Sequence, residues 1–360
     1  MMVSARDPPA ASAWRGPPSG PACAVPGCFN GAVPADETTD ADLAGLADTG
    51  LARWVAEIRQ ASGPSWRESG AAALREDSRR RAAARPPGPA LPLVRDLSTA
   101  DGSRPGLPLR LYRAATEPRP LVLYLHGGGF VLGDLDSHDS ICRRLALITG
   151  VAVLAVDYRR APEHPGPAAV DDAVTAFCWA RARPDELGAI AAAGIGLAGD
   201  SAGGALALLA SVRLRVEGTQ PAALLLAYPN ADMSLSAPSL RQEGHGWGLE
   251  ADDVRWSVAQ WIPDPARRAN ADLSPVHADL AGLPPTVIAT AEHDPLRDEG
   301  GTLARSMRAA EVSVLLVPHP GLVHGFLGLA HVSAAAERAG DELFARFGRL
   351  LRGDLPAARG

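Results

Sequence analysis

The sequence predicts an α/β protein in which a mostly parallel sheet is covered by helices on both faces. Three observations carry that expectation. From residue 107 onward, short β-rich runs recur that are apolar almost throughout, as strands buried on both faces require. Helix-length segments separate most of the later runs, and strand–helix alternation is the signature of parallel pairing. Two of the runs end in glycine clusters, "HGGGF" at 126–130 and "GDSAGG" at 199–204, and residues without a Cβ accept the backbone conformations of very tight turns.

Residues 1–35 are mostly Pro, Gly, Ala and Ser with little to bury, and are expected to be disordered. Asp7, Arg15 and several prolines interrupt any apolar core there, so a signal peptide is not expected. Leu43, Leu46, Leu51, Trp54, Val55 and Ile58 then recur at helical spacing, and "RPPGPA" at 85–90 ends that pattern. The expected strands are "LPLRLYR" (107–113), "PLVLYLH" (120–126), "GVAVLAVDY" (150–158), "IGLAG" (195–199), "AALLLAYP" (222–229), "TVIATAE" (286–292) and "VSVLLVPH" (312–319). Helices are expected at 137–149, 166–183, 203–216 and 298–310. The interval 230–284 is too long for an ordinary crossover and contains an amphipathic helical pattern, "EADDVRWSVAQWI". An insertion of that size beside a sheet reads as a lid or cap. The chain thus divides into a leader (1–35), N-terminal helices (36–88), which the family resemblance given below makes cap helices, an α/β core (89–229 and 285–354) and a cap insertion (230–284).

Composition narrows the function. A chain of 360 residues, 46% hydrophobic and 21% charged, is globular. Its net charge of −6 gives no electrostatic pull toward nucleic acid or an anionic membrane. No run approaches the ~20 apolar residues of a membrane span. A cytoplasmic protein without a nucleic-acid partner is expected. All 35 basic residues are arginine, which reads as a compositional bias. Cys142 and Cys178 fall in helical patterns as small core residues. Cys23 and Cys28 lack a second ligand pair nearby, so no zinc site is expected. Neither a phosphate-binding loop nor a dinucleotide fingerprint is present.

The chemistry is carried by "GLAGDSAGGALALLA" at 196–210. G-x-S-x-G between a strand and a helix is the pattern of a nucleophile elbow, with Ser201 at the tip and Gly199 and Gly203 where a Cβ would clash. A glycine-rich turn with an N-capping serine would look the same in isolation. A serine hydroxyl needs a base to take its proton and an acid to orient that base. The loop after "TVIATAE" offers Asp294, Asp298 and Glu299, and Asp294 is favoured because the other two begin the next helix as N-terminal carboxylates. His324, in "PGLVHGF", is favoured as the base over His293, His319 and His331, which read as surface or packing residues. The glycines of "HGGGF" then have a purpose: the N–H groups of Gly128 and Gly129, with that of Ala202, would stabilise an oxyanion, and side chains there would obstruct the substrate. His126 is expected to hold the loop.

Taken together, "HGGGF", "DYRRAPEHP" (157–165), "GDSAGG", "DPLRDEG" (294–300) and "HGF" (324–326) resemble the hormone-sensitive-lipase family of α/β-hydrolases, the bacterial group with a GDSAG elbow. The resemblance runs from about Leu107 to Leu351. It implies an α/β-hydrolase fold with an eight-stranded sheet and a helical cap, a triad at Ser201, Asp294 and His324, and an oxyanion hole at Gly128, Gly129 and Ala202. It also implies that Arg159, Glu163 and His164 form a buried polar network.

The function this implies is a serine carboxylesterase acting on short- to medium-chain acyl esters of small molecules, without metal or organic cofactor. An amide or N-acetyl hydrolase of a small metabolite shares the same acyl-enzyme chemistry. A non-catalytic ligand-binding homologue is the third reading, and it would be expected to have lost a triad member. A homodimer is compatible with this reading.

Overall fold

A computed structural model describes residues 43–61, 63–100 and 106–354. The expected leader at 1–35, with Cys23 and Cys28, lies outside the described residues. One sheet holds eight strands: β1 (Leu93–Ser98), β2 (Pro108–Arg113), β3 (Leu121–Leu125), β4 (Ala152–Val156), β5 (Ile195–Asp200), β6 (Leu224–Ala227), β7 (Thr286–His293) and β8 (Val314–Val323). Their spatial order is β1-β2-β4-β3-β5-β6-β7-β8. Only the two pairings made by β2 are antiparallel; the others are parallel.

The seven apolar runs correspond to β2 through β8. Strand β1, "LVRDLS", carries no continuous apolar signal because it is an edge strand, exposed or half-buried along its length. Central strands such as β3 and β4 are buried at every position. Along β3 the faces alternate: Leu121, Leu123 and Leu125 join one core cluster, Val122 and Tyr124 the other.

Apart from one-turn pieces, the helices are α1 (Thr49–Gln60), α2 (Trp66–Ala84), α3 (Asp139–Thr149), α4 (Ala168–Arg181), α5 (Ala202–Val216), α6 (Ala251–Trp261), α7 (Arg297–Ala309) and α8 (Ala334–Leu351). Helices α4, α5 and α7 cover one face through Phe177, Leu206 and Leu303. Helices α3 and α8 cover the other through Leu145, Phe344 and Phe347. Cys142 is buried as expected, but Cys178 is exposed: α4 buries Ala173, Ala176 and Phe177, and position 178 turns away from that stripe.

Among the described residues, the helical pattern at 40–84 includes the two helices α1 and α2, with Gly70 interrupting α2 at φ 72°. Asp48 caps α1 by accepting from the Leu51 N–H at 2.8 Å. Its other oxygen accepts from the Ala335 N–H and the Ser333 hydroxyl, at 2.7 and 2.9 Å, joining the N-terminal helices to the start of α8. Ser65 and Glu68 form a reciprocal capping box at the start of α2. Trp66, the first residue of α2, packs edge-on against Trp256 of α6 with ring centroids 6.1 Å apart. Its N–H donates to the buried Asp253 carboxyl, also on α6. Segments far apart in sequence are thereby joined.

Burial, and then the charge of Glu250, push the Asp253 carboxyl up to about 7. The folded protein therefore holds this proton more tightly than the unfolded chain. The resulting stabilisation is complete below about pH 4 and is lost as pH rises through about 7. Asp253→Asn keeps an acceptor for Trp66 without the buried charge. It should raise the melting temperature at pH 8 by on the order of a few degrees and change it little at pH 4; equal shifts at both pH values would contradict this account.

Candidate active site

Strand β5 ends at Asp200 and α5 begins at Ala202, leaving Ser201 alone in the turn at φ 53°, ψ −120°. A residue with a side chain is strained there. The turn is held from both sides: the Ser201 N–H donates to the Ala227 carbonyl at 2.9 Å, and its own carbonyl accepts from Gly204, Ala205 and Asn230. A Cβ on Gly199 would overlap the Gly203 carbonyl oxygen, and one on Gly203 would overlap that of Leu125. The spacing of the glycines about Ser201 is therefore a steric requirement.

The next two residues arrive from neighbouring strand ends. Asp294 follows β7 and is fully buried. One carboxylate oxygen accepts the Leu296 N–H at 2.7 Å, and the other lies 2.9 Å from His324 Nδ1. His324 follows β8, and its Nε2 lies 3.0 Å from Ser201 Oγ. With the carboxylate accepting from Nδ1–H, the lone pair of Nε2 is turned to the serine hydroxyl. The Tyr228 ring stands edge-on to the imidazole, 4.8 Å between centroids.

The other carboxylates and histidines are used differently. Asp298 and Glu299 do stand in the first turn of α7, but their side chains reach outward to hold residues after β6. Asp298 accepts from the Ser239 N–H, and Glu299 from those of Ala231 and Asp232. Burial pushes the Glu299 carboxyl well above its ordinary value, with the Ala231 and Asp232 amides opposing. His293 stacks on Trp247, and His319 lies within β8. His331 lies in the loop before the last helix, on the wall of the cavity that holds Ser201. The network expected at Arg159, Glu163 and His164 is polar but not buried. Arg159 pairs with Asp172 at 2.7 Å, exposed Glu163 pairs with Arg75 of α2 at 2.7 Å, and His164 is exposed. The polar termini of these long side chains stay in water while forming the bonds.

Among the described residues, no group accepts from the N–H of Gly128, Gly129 or Ala202. The glycines of this loop are bare chiefly for packing. A Cβ on Gly128 (φ 121°) would lie 2.5 Å from the Leu132 carbonyl oxygen, one on Gly129 would lie 2.9 Å from Ser257 Cβ, and one on Gly127 would strike the Asp200 carboxylate. Obstruction of substrate, the expected reason, is secondary to these contacts. Asp200 was the residue sequence reasoning passed over, although it stands inside "GDSAGG". Its buried carboxylate accepts from the Gly127 N–H at 2.9 Å and the Tyr124 hydroxyl at 2.7 Å, tying the loop to the elbow. Burial opposes its ionisation, but His138 and Tyr124 hold it below the usual carboxylate range. Burial pushes His126 down to about 3, leaving a neutral ring stacked on Tyr158.

A cavity of about 560 Å³ contains Ser201, His324, Gly128 and Gly129, and α1, α2 and residues of 230–284 contribute Trp54, Trp66 and Val254 to its walls. No cluster of three or more His, Cys, Asp or Glu side chains among the described residues is arranged to hold a metal ion.

This geometry belongs with an alpha/beta hydrolase fold, and the family of that description matches residues 122–328. The chain belongs to it. A carboxylic ester hydrolase, LipN, of Mycobacterium tuberculosis is 41% identical over 267 residues, covering 71% of this chain and 70% of the relative. An ethyl acetate hydrolase of Pseudomonas putida is 39% identical over 248 residues, covering 67% and 77%. A thermophilic and thermostable carboxylesterase cloned from a metagenomic library superposes with a TM-score of 0.74 at 35% identity, covering 78% of this chain and 98% of that one. Within the α/β-hydrolases the chain is a member of the hormone-sensitive-lipase family, among its carboxylic ester hydrolases.

Gly203→Ala should leave little soluble folded protein, because its Cβ overlaps backbone that cannot move without displacing β3. Gly204→Ala, whose nearest neighbour would be Pro229 Cβ at 3.1 Å, should fold with a modest loss of melting temperature. Soluble yield and thermal melting of the pair test this, and the opposite ranking would contradict the steric account.

Proposed function

We propose that Ser201, His324 and Asp294 hydrolyse short- to medium-chain acyl esters of small molecules through an acyl-enzyme. The observation that carries this reading is the hydrogen-bonded line from Asp294 to His324 to Ser201, at 2.9 and 3.0 Å, inside a cavity. His324 takes the serine proton as Oγ attacks the ester carbonyl. The charge on the carbonyl oxygen is met by the N–H groups of Gly128, Gly129 and Ala202, each such donor being worth ~3–4 kcal/mol in the transition state. His324 then protonates the departing alcohol oxygen, and water repeats the sequence on the acyl-enzyme. Asp294 orients the imidazole ring and stabilises the imidazolium.

Helices α1 and α2 and the insertion at 230–284 act in this reading as the cap. They limit the space beside Ser201 to a walled cavity of about 560 Å³, which favours short acyl chains over long ones. A small-molecule ester as the partner agrees with the net charge of −6, which gives nucleic acid no basic surface. A cytoplasmic location is part of the same reading and rests on composition. The described residues include no helix long and apolar enough to cross a membrane. A ligand binder without catalysis would not need the three side chains in contact.

Ser201→Ala should fold, lose turnover by about a millionfold, and no longer react with a fluorophosphonate probe. Labelling that persists in the variant would remove Ser201 from the mechanism. Asp294→Asn should lower kcat by roughly ten-thousandfold, while Asp298→Asn, which loosens the contacts to Ser239 and Arg297, should have a far smaller effect. The reverse order would make Asp298 the acid. In a series of para-nitrophenyl esters, kcat/KM should peak at short to medium chains; a steady rise to long chains would contradict the cap reading.

A further inference from the structure

The cavity has a second wall that ester cleavage does not itself require. The C-terminal part of α2 and the residue after it line this wall with Arg80, Arg81 and Arg85, beside Asp77 and His331. Among the described residues, the carboxylate paired with this group is that of Asp77. Asp77 is buried and engages both Arg80 and Arg81, the latter at 2.9 Å. That leaves Arg85. Among the described residues no carboxylate lies within ion-pair distance of it and no acceptor takes its side-chain donors. Desolvation of the guanidinium, and then the adjoining Arg81 charge, hold Arg85 below its usual value, although the residue as a whole is solvent-exposed. Arginines at a helix C-terminus ordinarily complement the helix dipole. The dipole explains their sign, but not why they share a cavity with Ser201.

The side of the cavity they occupy indicates which half of the substrate they meet. The departing alcohol oxygen must receive its proton from His324, so the alcohol lies on the His324 side of the reacting carbon. The chain leaving His324 contributes Gly325, Gly328, Leu329 and His331 to the cavity, and His331 lies within the field of Arg85. The apolar surface of Trp54, Ile58, Leu249 and Val254 remains for the acyl group.

We propose that Arg85, supported by Arg81, forms an anion subsite for the alcohol half of the ester, so that the substrates are acyl esters of hydroxy acids. The proposal rests on the ester-hydrolase reading above. Hydrolysis breaks the acyl–oxygen bond, passes a proton from His324 to the alcohol oxygen, and releases the hydroxy acid; water supplies the hydroxyl of the carboxylic acid product.

The test compares acetyl esters of ω-hydroxyalkanoates of increasing length with the matching ω-hydroxyalkanamides, which differ only in the remote charge. A second series places the carboxylate or carboxamide on the acyl half instead. The wild-type enzyme should prefer the carboxylate in the first series by about tenfold in kcat/KM, the contribution of one charge-assisted hydrogen bond. That preference should shrink as salt is raised. Arg85→Gln should bring the carboxylate-to-carboxamide ratio close to one, and Arg85→Lys should restore part of it; using the ratio removes any general loss of activity. No preference in either series, or one that survives Arg85→Gln, would overturn the subsite, and a preference confined to the second series would overturn its placement on the alcohol side. Failure of the wild type to hydrolyse para-nitrophenyl butyrate, or retained activity in Ser201→Ala, would instead count against the hydrolase reading itself.

Discussion

The contact on which the rest of the site depends is the approach of the first turn of α5 to the end of β3. Gly203 sits so close to the Leu125 carbonyl that no side chain fits between them. That closeness forces Ser201 into its positive-φ turn. It also sets the first turn of α5 beside the loop that starts at His126, directly after Leu125. Asp200 locks the same junction with a second bond, from its carboxylate to the Gly127 N–H. The elbow and the glycine loop are therefore one unit, and displacing either would separate the Ser201 hydroxyl from the loop amides proposed to act with it.

The strand ends supply the remaining groups because the sheet is parallel where it matters. Strands β5, β7 and β8 run in the same direction, so Ser201, Asp294 and His324 emerge at one edge although 123 residues separate the first from the last. Parallel strands present their carboxyl ends together, and ligands bind there. The neighbouring carboxylates are drawn into support: Glu299 and Asp298 hold the backbone at Ala231, Asp232 and Ser239, where the insertion leaves the sheet.

Closure of the cavity relies on polar joints as much as on apolar contact. Arg75 of α2 donates to the Val131 and Ala161 carbonyls at 2.8 and 2.7 Å and pairs with Glu163. It fastens the N-terminal helices to the segments that follow the glycine loop and β4. Asp253 makes the corresponding joint to α6. The "DYRRAPEHP" segment thus works as a docking surface for α2, which accounts for its exposed acid better than a buried network does.

The sequence by itself determined the seven strands with continuous apolar runs, the elbow about Ser201, and the pairing of Asp294 with His324 as candidates. Each of these is imposed locally, by burial on both faces of a strand, by the absence of a Cβ, or by position at a strand end. Edge strand β1 escaped because half-burial leaves no continuous pattern. Asp200 escaped because its partners, Tyr124 and Gly127, are more than 70 residues away in sequence. The break in the N-terminal helical pattern at Gly70, the outward reach of Asp298 and Glu299, and the arginines facing the cavity were likewise decided only by the tertiary structure. Periodicity reports which residues are buried, but the partner of a polar group is chosen by whichever distant backbone or charge folding brings within hydrogen-bond reach.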